Sequence, residues 1–224
     1  MSVHRPITSE DPRISVVIPT IPSNSHTEVV EHLKSQSYGS FEIIVVDDNS
    51  LDICEARSLG IHQAKGEIVA LTDDDCRPER EWLELIDEQF EKDPNLVCLE
   101  GAVRGGRTYT GARKYVGCNL AFDREAALDI GAFRSEYAGW RDDTEFGWRM
   151  ERDADGECRF SSDVVMRHPE KPRATIDEKI ESKFREEYPD RYREVIIPDT
   201  IVGRLNDWLW RKGFWDAVDS VRYD

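Results

Sequence analysis

The chain has 224 residues, enough for one domain of good size, and carries 30 lysines and arginines against 46 aspartates and glutamates, a formal charge of −16. That balance excludes nucleic acid as a partner, because a phosphate backbone calls for a basic surface. No apolar run is long enough to span a bilayer and the opening MSVHRPITSEDPR has no apolar signal segment, so the expected location is cytoplasmic.

Eight lysines stand against twenty-two arginines. Acidic excess with scarce lysine resembles proteins of salt-loving organisms such as halophilic archaea, where dense counterions screen self-repulsion. The five cysteines, Cys54, Cys76, Cys98, Cys118 and Cys158, form no CxxC pair. They read as reduced thiols rather than a disulfide frame or a zinc site.

In chain order, residues 1–13 are polar, hold Pro6 and Pro12, and read as a loose leader. Ile14 to Ile18 is a β-branched run of the buried-strand kind, ending at Pro19 and Thr20. Thr27 to Ser37 is a short amphipathic helix. Phe41 to Val46 is a second buried strand, running into Asp47, Asp48, Asn49 and Ser50. Leu51 to Ala64 is a helix closed by Lys65 and Gly66. Ile68 to Leu71 is a third buried strand, ending in Thr72, Asp73, Asp74 and Asp75. Right-handed crossovers make such strands parallel, so one sheet edge collects five aspartates. Adjacent carboxylates repel one another, and a chain keeps such a cluster where a cation neutralises it or water screens it. Ligands of open α/β sheets bind beyond the carboxyl ends of the strands, which is where this cluster lies.

Glu79 to Phe90 is a helix, Leu96 to Ala102 a strand, and the glycine-rich stretch from Gly105 to Ala112 a loop. Cys118 to Phe122 is a strand, Arg124 to Ile130 a short helix, Asp142 to Ala154 a longer one, and Val164 to Arg167 a strand ending at His168. Asp142 and Glu145 have the spacing of a capping box. The remainder reads as helical, with Trp208, Trp210, Phe214 and Trp215 near its end. These aromatics suit internal packing first, then a homo-oligomer face or peripheral contact with a membrane surface. The expected layout is a leader at 1–13, an α/β core at 14–174 with a mixed, mainly parallel sheet flanked by helices, and a helical extension at 175–224 packed on that core. No G-x-G-x-x-G follows a strand and no Walker lysine motif is present, so neither a dinucleotide site nor a P-loop is supported.

Five stretches in order, ISVVIPT, FEIIVVDDNS, ARSLGIHQAKGEIVALTDDD, NLAFDREAALDIGAF and GWRDDTEFGWRM, resemble family 2 glycosyltransferases of the GT-A fold, over about residues 14–170. The resemblance implies a metal-dependent, inverting transfer of a sugar from a nucleotide-diphosphate donor to an acceptor hydroxyl or lipid phosphate on a glycan or lipid carrier. It implies Mg²⁺ or Mn²⁺ at Asp73 and Asp75, the D-x-D positions, with Asp75 the foremost ligand and His168 a further one. It places Pro19, Thr20 and Asp48 at the nucleotide base, Asp73 and Asp74 near ribose and phosphate, and Arg57 at the nucleotide or its phosphates. Asp143, paired with Asp142, falls on the family's general base. The Asn-Arg pair that often follows the first strand is replaced by Ile21, Pro22 and Ser23, and Ser58 replaces an asparagine. Asn119 reads either as a donor-sugar contact or as a plain strand residue. Two other readings remain: a domain that binds nucleotide sugar without turnover, and a sugar-phosphate nucleotidyltransferase. The latter would show a glycine-rich loop where IPTIPSNS stands.

Overall fold

The structure, a computed structural model, describes residues 3–106, 108–111, 113–169, 176–197 and 200–223. Arg107 and Ala112 of the glycine-rich loop lie outside the described residues. The chain divides into two compact units, Met1–Pro169 and Glu170–Asp224.

The first unit holds β1 (Val3–Ile7), β2 (Ile14–Thr20), α1 (Thr27–Lys34), β3 (Phe41–Asp47), α2 (Ile53–Gln63), β4 (Ile68–Leu71), β5 (Arg77–Pro78), α3 (Trp82–Lys92), β6 (Leu96–Gly105), β7 (Leu120–Asp123), α4 (Arg124–Asp129), α5 (Asp142–Asp153) and β8 (Glu157–His168). The strands form one sheet in the order β1-β3-β2-β4-β7-β6-β8-β5. β2 runs parallel to both β3 and β4, and β6 runs parallel to β8; the other pairings are antiparallel. The sheet is therefore mixed, with its parallel block where three apolar strands follow one another in the sequence. β2 and β4 are buried throughout, and β3 as far as Val46, as expected of strands covered on both faces. The main core lies between this sheet and α1 and α3, through Val29, Val30, Leu33, Trp82, Leu83, Ile86 and Phe90.

Two readings need correction. Residues 3–7 are not loose: they form β1, an edge strand antiparallel to β3, with alternate residues half-buried. Arg5 reaches the buried Glu42 carboxylate and donates to the Gln63 carbonyl at 2.8 Å. Pro6 masked this strand in the sequence, but proline is tolerated at an edge, where one row of amides has no partner strand. The last strand is also longer than its apolar segment. β8 runs for 12 residues because its first half, Glu157 to Ser161, pairs with β6 although it is only partly buried.

In the second unit, α6 (Glu178–Glu187), α7 (Pro189–Val195), α8 (Ile201–Arg211) and α9 (Phe214–Tyr223) follow one another. Asp177 caps α6 by accepting from Lys179 N and Ile180 N at 3.0 Å. Phe184, fully buried, packs with Tyr188 and Tyr192. α8 exposes Ile201, Val202, Leu205 and Trp208, and α9 exposes Phe214 and Val218. Trp215 Nε1 donates to Asn206 Oδ1 at 3.1 Å. No helix among the described residues is long and apolar enough to cross a membrane.

Candidate active site

The parallel register brings the ends of β2, β3 and β4 side by side. Thr20 stands opposite Asp47, and Val17 opposite Leu71, so the residues after β4 emerge beside those that close β2 and β3. Asp48 follows β3 and turns on itself: its Oδ1 accepts from Ser50 N at 2.9 Å and Ser50 Oγ at 2.6 Å. Those two bonds hold its pKa down, at about 2. The Asp48 amide donates to the Thr20 carbonyl at 3.4 Å, tying this turn to the end of β2 beside Pro19.

Asp74 faces the same side. Its Oδ2 accepts from Thr20 Oγ1 at 2.6 Å and from Asn24 Nδ2 at 2.9 Å. One carboxylate oxygen thus fixes the loop after β2 against the turn after β4.

Asp73, Asp75 and His168 converge with Cys76, which the sequence marked only as one of five reduced thiols. One ligand atom from each of the four lies within 4.8 Å of all the others. His168 arrives from the end of β8, with Nε2 3.9 Å from Asp75 Oδ1 and Nδ1 2.8 Å from the Pro169 carbonyl. Its approach depends on Gly105, the β6 residue opposite it in the parallel register. Gly105 has φ +112°, and a Cβ there would sit 2.3 Å from the His168 carbonyl oxygen. Burial raises the Asp73 pKa, and Asp75 and Asp74 add to the rise against Arg57 and His168. A crowded carboxylate set with one imidazole at hand fits a divalent cation: hard oxygens suit Mg²⁺ or Mn²⁺, and imidazole is compatible with Mn²⁺.

Arg57 ties this cluster to the first turn of α5. α2 begins at a true capping box, in which Asp52 accepts from Glu55 N and Glu55 accepts from Asp52 N. The helix then carries Arg57 inward, where it is 5% exposed. Its guanidinium pairs with the Asp142 carboxylate, lies 3.7 Å from Asp73 Oδ1, and stacks 5.2 Å above the Phe133 ring. Burial disfavours its charge, but Asp142, Asp73 and Asp143 together outweigh burial and raise its pKa. Burial pushes Asp142 up to about 6, with Asp143 adding to the rise and Arg57 opposing it.

The capping box expected at Asp142 and Glu145 does not form. Arg141, in a left-handed conformation at φ 68°, precedes the helix, and Asp142 is its first residue. Glu145 is fully buried and accepts from Arg149 Nε at 2.7 Å and Arg134 Nη1 at 3.1 Å. The burial of both carboxylates decided this, giving each an arginine partner in place of a free amide.

Asp143 lies beside the pair, half-buried. Its Oδ2 accepts from Gly117 N at 2.9 Å and its Oδ1 from Thr144 N at 2.7 Å. The loop that supplies Gly117 is clamped to the same helix: Thr144 Oγ1 donates to the Lys114 carbonyl and Trp148 Nε1 to the Arg113 carbonyl, each at 2.7 Å. On its other side Glu100, a buried acid inside the apolar β6, accepts from Tyr109 Oη and the Tyr115 amide. Glu100 gave only a faint signal, a single acid within LVCLEGA.

Asn119, open between two roles in the sequence, is committed to packing. It is 1% exposed, accepts from Trp82 Nε1 at 2.8 Å, and donates to the Ala102 and Val164 carbonyls at 2.8 and 2.9 Å. It locks α3 to β6 and β8.

Residues 51–157 match the family described as Glycosyl transferase family 2. Glycosyltransferase AglE of Haloferax volcanii is 32% identical over 190 residues, covering 73% of this chain and 58% of that protein. The Glucosyl-dolichyl phosphate glucuronosyltransferase of the same organism is 23% identical over 174 residues, covering 54% of this chain and 56% of that protein. The chain thus spans a little over half the length of these two relatives. Among solved structures, mannosyltransferase PcManGT from Pyrobaculum calidifontis, in complex with GDP-Man and Mn²⁺, is similar in fold, with a TM-score of 0.60 at 20% identity over 84% of this chain and 63% of that one. The mixed sheet and the structural likenesses converge on the GT-A fold, and residues 51–157 of that fold match glycosyltransferase family 2.

Proposed function

We propose that this chain is a metal-dependent, inverting glycosyltransferase that moves a sugar from a nucleotide-diphosphate donor to an acceptor hydroxyl. The observation that carries the reading is the junction at Arg57, where a cation-type donor set and a helix-terminal carboxylate pair meet on one sheet edge.

Asp73, Asp75 and His168 would hold Mg²⁺ or Mn²⁺, which when bound supplies positive charge against the departing diphosphate. Pro19, Thr20 and Asp48 form the wall for the nucleotide base, and Asp74 keeps that wall in register by holding Thr20 and Asn24. Arg57 is enclosed by carboxylates, so its task is to hold Asp142 and Asp73 in place beside the diphosphate. Asp143 takes the proton of the acceptor hydroxyl as that oxygen attacks the sugar and the bond to the diphosphate breaks. One displacement inverts the sugar and requires no enzyme nucleophile.

A lipid phosphate, already ionised, is the other acceptor and would not need Asp143 as a base. The apolar face of α8 favours an acceptor carried on a lipid, held while the segment from Thr200 to Trp215 rests on a membrane surface. Vesicle flotation of the chain with and without that segment tests this, and equal flotation of the two forms contradicts it.

Thermal shift with UDP-, GDP- and dTDP-sugars, each with and without Mn²⁺, tests the donor class. Binding to the folded state raises the melting temperature by mass action. The expected result is a rise with one nucleotide, and only when Mn²⁺ is present; no rise with any of them contradicts the proposal.

A further inference from the structure

Of the four side chains that converge after β4 and β8, Cys76 has no place in the hard-ion reading. Its sulfur lies in the same 4.8 Å set as the donor atoms of Asp73, Asp75 and His168, and it is wholly buried. Cys76 Sγ is 3.7 Å from Asp75 Oδ1. Behind it stands a second buried thiol, Cys118, within hydrogen-bonding reach of the Cys76 sulfur.

Resting on the metal-site reading above, we propose that Cys76 is a fourth donor of the site, supplying a thiolate that makes it selective for zinc-class cations over Mg²⁺. Thiolate sulfur is soft and prefers Zn²⁺ and its heavier congener Cd²⁺, whereas Mg²⁺ takes oxygen. Two carboxylates, one imidazole and one thiolate make a four-coordinate set of the kind zinc accepts, with Zn–S near about 2.3 Å and Zn–N near about 2.0 Å. Ligand atoms around such an ion stand roughly 3.5 Å apart, and the four donor atoms already lie within 4.8 Å of one another. As the metal–sulfur bond forms, the thiol proton leaves to solvent; no electron moves and no oxidant is needed. The site then has two loaded states. In one, a hard ion on oxygen and imidazole leaves room for a diphosphate. In the other, a soft ion drawn down to Cys76 fills its coordination with protein groups. The second state is an inhibited one.

The test uses the full chain with Cd²⁺ as the probe, read by its ultraviolet thiolate charge-transfer band and by cadmium-113 NMR, whose shift reports sulfur coordination. Mn²⁺ binding is measured alongside by paramagnetic relaxation of water. The wild type should show the band at one equivalent, and Mn²⁺ should displace it only in large excess. Cys76→Ser should lose the band and weaken Cd²⁺ binding by roughly tenfold or more, with Mn²⁺ affinity changed far less. Cys118→Ser should keep the band. If the wild type binds Mn²⁺ but gives no sulfur-coordinated cadmium signal, the thiolate inference is overturned and the metal site stands. A signal that even a large excess of Mn²⁺ does not displace, or that survives Cys76→Ser, also overturns it. If neither ion binds, the metal-site reading falls as well. The NMR and displacement measurements use the wild type alone, so they hold even if Cys76→Ser fails to fold.

Discussion

Arg57 and Asp142, 85 residues apart in the sequence, form a buried ion pair that joins α2 to the first turn of α5. The pair fixes where Asp143 stands relative to Asp73, because Arg57 also approaches Asp73 at 3.7 Å. Removing one member leaves the other charge buried without its partner. Arg57→Met should therefore lower the unfolding free energy by about 3–5 kcal/mol. Arg57→Met with Asp142→Leu should lose clearly less than the sum of the single changes. Urea unfolding of the four proteins measures this coupling; strictly additive losses contradict the pair's importance.

The same site gives a pH dependence. The folded, metal-free protein holds the Asp142 proton more tightly than the unfolded chain, with a pKa of about 6 against an ordinary 3.8. Its contribution to stability is complete below the ordinary value and is lost as the pH rises through about 6. Asp142→Asn should flatten the fall in stability across that window, as read by urea midpoints at a series of pH values. An unchanged slope contradicts it.

Asn119 separates a packing role from a sugar contact. Asn119→Ala leaves Trp82 Nε1 and the Ala102 and Val164 carbonyls without their partner. Each buried group left unmatched costs about 1–3 kcal/mol. The variant should melt far earlier yet bind nucleotide sugar with unchanged affinity at a temperature where it is folded. A normal melting temperature with weakened binding would return Asn119 to the sugar.

The charge of −16 and the eight lysines predict a dependence on salt. Lowering KCl from molar to millimolar should lower the melting temperature followed by circular dichroism, because screening of self-repulsion is withdrawn. Equal melting in both contradicts the reading of a protein built for concentrated salt.

Much of this site was legible in the sequence because it lies where apolar strands end. The runs before Thr20, Asp47 and Thr72 announce buried parallel strands, and parallel strands put their ends on one edge. What was not legible depends on partners far away in the chain. The Asp142–Glu145 spacing imitated a cap, and only burial beside Arg57, Arg134 and Arg149 shows that both acids pair with arginines instead. Cys76 read as an ordinary reduced thiol because nothing local says that His168, 92 residues on, comes within 4.8 Å of it. Asn119 stayed open between a sugar contact and a strand residue because its three partners come from three other elements.

The central claim is that two acidic sites divide the work: Asp75 holds the ion and through it the donor, and Asp143 acts only on the acceptor. The most direct measurement is the rate of nucleoside diphosphate release in Mn²⁺ from Asp143→Asn, supplied with a hydroxyl acceptor, on protein whose nucleotide binding has been checked by calorimetry beside Asp75→Ala. Asp75→Ala should lose binding and release together. Asp143→Asn should bind as the wild type does, while release falls by roughly 10²–10⁴-fold, the range typical of losing a general base. Release from Asp143→Asn at the wild-type rate would contradict the assignment of the base and, with it, the division of labour proposed for this edge of the sheet.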